Sequence, residues 1–150
     1  MFSLLKLAFS KQFPPSFLTF SPEFPNLWFG NLPPVPFFKV NYDGAVFRYE
    51  NAADIGVVIM DDNGLVVASM AEKIHLPSMV TFVEALATIK ALSLAHDIGL
   101  SAIVLECDSE VIINALKNYA PPLTAYGHLL GEAQSLTQTF AAIDFVHIRR

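Results

Sequence analysis

Three carboxylates stand out because each interrupts apolar sequence: Asp43 in VNYDGA, Glu84 in TFVEALA, and Asp108 directly after AIVLEC. A carboxylate in apolar surroundings is costly unless it is paired, hydrogen-bonded or bound to metal. Three that converge also repel one another, and a divalent cation is the simplest remedy. Hard oxygen ligands of this kind suit Mg²⁺ or Mn²⁺. Each acid also has an ordinary structural reading. Thr81-x-x-Glu84 matches a capping box, Asp108 precedes a helix as an N-cap would, and Asp43-Gly44 fits a bulge or bend in a strand.

The remaining reactive side chains point to less chemistry. Cys107 ends an apolar run and reads as a small buried hydrophobe, since nothing in its sequence surroundings lowers its pKa. Ser109 has no histidine partner in motif, so a serine hydrolase is not indicated. His147 reads as a structural histidine at a strand end, and His75, His96 and His128 are scattered. Asp61 and Asp62 precede Asn63-Gly64 and belong to a turn. There is no Gly-rich phosphate loop, and Arg48, Lys73, Lys90 and Lys117 are too dispersed to define a basic patch.

The elements that must position the acids follow from periodicity and turn chemistry. Residues 37–47 and 54–60 read as strands from their β-branched and aromatic content, and 65–71 returns as a third strand of a meander. A helix is expected from Pro77-Ser78 to about residue 98, with Gly99 as a left-handed terminus and apolar Leu100 after it. Its less apolar stripe is Thr81, Glu84 and Thr88, spaced i, i+3, i+7. Residues 102–107 suit a buried parallel strand, which makes strand–helix–strand a right-handed crossover. Helices over 109–118 and about 126–140, separated by Pro121-Pro122, and a strand over 143–148 complete an α/β domain.

Composition sets the outer limits. The sequence has 150 residues, 53% hydrophobic and 15% charged, with net charge −5 and one cysteine. That is enough for one domain with a real core, without an internal disulfide. An acidic chain gains little from neutralising phosphates, so tight non-specific nucleic-acid binding is not expected unless metal ions reverse the local sign. No apolar run reaches the length of about 18 residues needed to span a membrane, so no membrane partner is expected. Composition shifts near residue 36: seven of ten prolines and nine of thirteen phenylalanines lie in the first 38 residues. Residues 1–35 therefore read as an irregular extension and 36–150 as the domain. The N-terminus resembles a weak signal or transit sequence but lacks arginine and a clear cleavage site. Nucleus or cytoplasm is favoured, with organelle targeting open and oligomeric state undetermined.

Four ordered segments, KVNYDGA, IGVVIMDDNGLVVAS, EALATIKALSLAHDIGL and IVLECDSEVIINAL, resemble the ribonuclease H-like domain of plant proteins and retroelement polyproteins. The resemblance covers residues 33–150. It implies a mixed five-stranded sheet, order 3-2-1-4-5, flanked by helices, and hydrolysis of the RNA strand of RNA–DNA hybrids. It also implies that Asp43, Glu84 and Asp108 bind Mg²⁺ or Mn²⁺ at a two-ion catalytic site. Such domains continue past a His-Val-x-Arg-type stretch, similar to His147–Arg150, into a helix with a fourth acid. The sequence here ends first, so an incomplete site, weak cleavage and an exposed apolar patch on the sheet are expected. The rival expectation is a non-catalytic relic that binds nucleic acid or protein.

Overall fold

The structure, a computed structural model, describes residues 33–118 and 125–149. The extension assigned to residues 1–35 lies outside the described residues up to Leu32, and so does Pro121-Pro122. Five strands form one sheet in the order β3-β2-β1-β4-β5. They are β1 (Phe38–Phe47), β2 (Ala52–Met60), β3 (Val66–His75), β4 (Ala102–Cys107) and β5 (Ala142–His147). The helices are α1 (Val80–Asp97), α2 (Glu110–Asn118) and α3 (Gly127–Thr137). This is the expected fold class and strand order.

β1 is the central strand, antiparallel to β2 and parallel to β4. Alternation along it sends Val40 and Tyr42 to one face, where they join Ile55, Val57, Ile59, Ile103 and Leu105 in the core. α1 supplies Val83, Ala85, Ile89 and Leu92 to the same core, α2 supplies Ile112, Ile113 and Leu116, and α3 supplies Leu130 and Ala133. Lys39, Asn41 and Glu106 occupy the other face of β1 and β4.

β2 starts at Ala52 and α3 ends at Thr137, two and about three residues from expectation, and three further departures have a visible cause. β3 runs on to His75 because Glu72, Lys73, Ile74 and His75 pair with the start of β2. Its polar residues are partnered rather than loop-like: Glu72 accepts Lys90 of α1 at 3.0 Å, and Lys73 meets Glu50 at 3.2 Å. The β2–β3 turn is not a two-residue Asn-Gly hairpin. Only Gly64 takes positive φ there (80°). Asp61 holds the loop instead, its Oδ1 accepting the backbone N–H groups of Asn63 and Leu65, both at 2.9 Å. α1 begins at Val80 with Met79 as N-cap and no side-chain cap bond, so Thr81 and Glu84 do not form a capping box. The far end behaves as expected: Gly99 takes φ +83°, and the Leu100 N–H reaches back to the Ala95 carbonyl at 3.1 Å.

The close seat of α1 on β1 depends on Gly44. A Cβ built there would lie 2.6 Å from Val83 Cγ1. Overpacking of this kind costs roughly 1–3 kcal/mol, so Gly44→Ala should lower the urea midpoint accordingly with an unchanged denaturant slope. A midpoint equal to the parent's would mean that α1 can move off β1 freely.

Candidate active site

β4 pairs with β1 only as far as Asn41 and Glu106. Beyond that level β1 continues to Phe47, while β4 ends at Cys107 and Asp108 follows it. By the alternation along β1, Asp43 shares the face of Lys39 and Asn41, opposite that of Val40 and Tyr42. The first turns of α1 pass over β1, with Val83 above Gly44 and Glu84 next along the helix. Asp43 is half-buried and lies in regular antiparallel register opposite Gly56, so the bulge reading of Asp43-Gly44 does not hold against β2. Its Oδ1 accepts the Gly44 N–H at 2.8 Å.

Glu84 is half-buried and bonded across elements: Ser109 Oγ donates to its Oε2 at 3.1 Å. Burial pushes the Glu84 carboxyl above the ordinary glutamate range of 4.5, against the Ser109 hydrogen bond, and the negative charge of Asp108 adds to the rise. Glu84 and Asp108 therefore sense each other electrostatically. Asp108 is exposed, and the Ile112 N–H at the start of α2 is met by Ser109 Oγ at 3.5 Å. Ser109, rather than Asp108, thus acts at that helix start. The Asp108 carbonyl faces His147 Nε2 at 3.0 Å, which ties the end of β5 to the acid-bearing turn.

Behind these acids lies a polar layer. Thr88 Oγ1 lies 2.8 Å from both the Tyr42 hydroxyl and the Glu84 carbonyl oxygen, bracing α1 against β1. Cys107 is buried beneath, and burial pushes its thiol up to about 11. It is inert as a nucleophile at neutral pH and packs as a hydrophobe.

The donor chemistry fits a hard divalent cation, since every candidate ligand is a carboxylate oxygen and two of the groups repel. Among the described residues, however, no group of three or more His, Cys, Asp or Glu side chains is gathered to hold a metal ion. His147 has the structural role at a strand end expected of it, whereas the supporting role of Ser109 was not read from the sequence. Ser109 stands beside Asp108 in the DS pair, a visible signal, but its partner Glu84 is 25 residues away.

A model of the reverse transcriptase-like family matches residues 41–150. The chain belongs to that family. Its fold is the ribonuclease H fold, shared at 25% identity and TM-score 0.68 with ribonuclease H1 of the archaeon Halobacterium salinarum. That match covers 75% of this chain and 86% of the archaeal one. The ribonuclease H domain of a Mycobacterium tuberculosis protein matches at 20% identity and TM-score 0.65, over 75% of this chain and 82% of that one. LC11-RNase H1, isolated from compost and solved with an RNA/DNA hybrid, matches at 21% identity and TM-score 0.65, over 75% and 86%. No curated protein matches the sequence. Among the described residues of this reverse transcriptase-like domain, no helix is long and apolar enough to cross a membrane.

The raised carboxyl of Glu84 gives a signed prediction. The folded chain binds the Glu84 proton more tightly than the unfolded chain does, so its contribution to stability falls as pH rises from 4.5 through the folded-state value. In metal-free buffer Glu84→Gln should melt above the parent at neutral pH. The advantage should disappear below 4.5, where both chains are neutral at this position. A less stable variant at neutral pH would show that the Ser109 bond outweighs the burial cost.

Proposed function

We propose that this domain binds RNA–DNA hybrids and hydrolyses the RNA strand in a divalent-metal-dependent reaction, with Asp43, Glu84 and Asp108 as ligands. The observation that supports the proposal is a ribonuclease H fold in which Glu84 and Asp108 repel each other and Asp43 and Asp108 each stand two positions past the Asn41–Glu106 register pair. Support comes from the family match and from relatives named as ribonucleases H, one of them solved with a hybrid bound.

Bound Mg²⁺ or Mn²⁺ would lower the pKa of an attacking water and stabilise the leaving oxygen. The protein's part is to present the ligands. Asp43, on the central strand, would be one of the ligands that hold the metal. Glu84 is held ready by Ser109, and the mutual repulsion of Glu84 and Asp108 favours cation entry. Asp108, exposed at its turn, would be open to solvent and to a bound ion. With net charge −5 over the whole chain, phosphate binding would depend on these ions to reverse the local sign.

Two measurements test the proposal. Millimolar Mn²⁺ should raise the melting temperature by mass action, and Asp43→Asn should abolish the shift; an equal shift in the variant would place the metal elsewhere. Cleavage of a labelled RNA–DNA hybrid should require the metal and fall by on the order of 100-fold or more in Asp108→Asn, as expected for loss of a positioned electrostatic group. Cleavage that persists in chelator, or that Asp108→Asn leaves intact, would refute this assignment.

A further inference from the structure

Two residues before Asp43 stands Asn41, and two residues before Asp108 stands Glu106. The two are register partners across the parallel β1–β4 pair. Both oxygens of Glu106 are engaged by β1. Asn41 Nδ2 donates to Oε1 at 3.2 Å, and Lys39 Nζ lies 3.2 Å from Oε2. The Lys39 and Glu106 side chains are 2% and 4% exposed, on the sheet face away from α1, α2 and α3. We propose that Lys39, Asn41 and Glu106 are positioning residues that pin the register of β1 against β4 and thereby hold Asp43 level with Asp108.

The pin is needed because the core cannot supply it. A one-residue slip would turn the apolar side chains out of the core, so the core alone forbids it. A two-residue slip keeps every face: Val40 would meet Ile103 or Cys107 instead of Leu105, all three buried and apolar. Such a slip would displace Asp43 from Asp108 by roughly 7 Å, too far for them to share ions about 4 Å apart. A slip toward Ile103 would carry Lys39 away from Glu106 and leave each buried without a counter-charge, which costs several kcal/mol per ion. A slip toward Cys107 would set Lys39 opposite Glu106 but take Asn41 Nδ2 off the Glu106 carboxylate and leave that buried donor without its partner. The cluster therefore discriminates between registers that the hydrophobic pattern treats as alike.

It does so without adding much stability. The Lys39 ammonium is at ion-pair distance but without hydrogen-bond geometry, and Asn41 Oδ1 has no hydrogen-bond partner. Burial lowers the Lys39 pKa despite the attraction of Glu106, so the charged pair carries a desolvation cost. Buried ion pairs replaced by apolar residues of similar size are often neutral or stabilising, and setting register is their best-attested use.

The functional consequence rests on the metal reading of Asp43 and Asp108; the register claim does not. The test compares the parent, Lys39→Met/Glu106→Met, and the charge swap Lys39→Glu/Glu106→Lys. Cross-strand backbone NOEs report register, Mn²⁺ titration reports the site, and thermal melts report stability. The apolar double variant should melt close to the parent, show a second β1–β4 register, and bind Mn²⁺ at least about tenfold more weakly, the loss typical when a supporting shell is removed. The charge swap should recover both the single register and the affinity. A double variant that keeps one register with Asn41 opposite Glu106 overturns the proposal. So does one that fails to fold, because the cluster would then stabilise rather than specify. Mixed register with unchanged Mn²⁺ affinity, or a parent that binds no Mn²⁺, counts against the metal reading alone and leaves the register result standing.

Discussion

Val83 sits on β1 through space that only a glycine leaves. With 2.6 Å between Val83 Cγ1 and a hypothetical Gly44 Cβ, helix and strand touch backbone to side chain, and the rest of the site is built around that contact. It seats the first turns of α1, which carry Glu84, against Gly44 of β1. It also lets Thr88, one turn further on, meet both the Tyr42 hydroxyl and the Glu84 carbonyl. Alanines at 85, 87, 91 and 95 extend the close fit along the buried side of α1. A helix of larger residues would stand further off and carry Glu84 away from β1.

The sheet is asymmetric in what it buries. On the helix side of β1, β2 and β4 the contacts are mainly apolar, the Tyr42–Thr88 hydrogen bond apart. The opposite side holds Lys39, Asn41, Asp54 and Glu106, all buried, and tolerance is low there because each polar group needs a particular partner. Stability comes mainly from the first side and specificity from the second. Glu84 belongs to neither: its ionised form is disfavoured by burial and by Asp108. A site that concentrates like charge destabilises the empty fold, and a bound cation would recover that loss.

Element types were readable where one local force dominates. The β-branched runs are strands, Gly99 closes α1 because only glycine enters the left-handed region without strain, and strand order 3-2-1-4-5 follows once the four segments are recognised together. Reading failed where partners are distant. Glu72-Lys73-Ile74-His75 looks like polar loop until β2 and Lys90 are placed beside it. Thr81 and Glu84 mimic a capping box, but α1 starts at Val80 and Glu84 turns to Ser109. Asn63-Gly64 suggests a two-residue hairpin, yet the Asp61 side chain binds two backbone N–H groups and stabilises a wider loop.

By itself the sequence determined which residues have the chemistry: three carboxylates set in apolar segments, and a cysteine too buried to react. Residue type and periodicity are local properties, and they are enough to assign elements and candidate ligands. Only the tertiary structure decided who meets whom. It set Ser109 on Glu84, His147 on the Asp108 carbonyl and Lys39 against Glu106, pairs separated by 25, 39 and 67 positions along the chain. Contacts at such separations depend on strand order and register. Those are fixed by packing all the elements together, not by any segment alone.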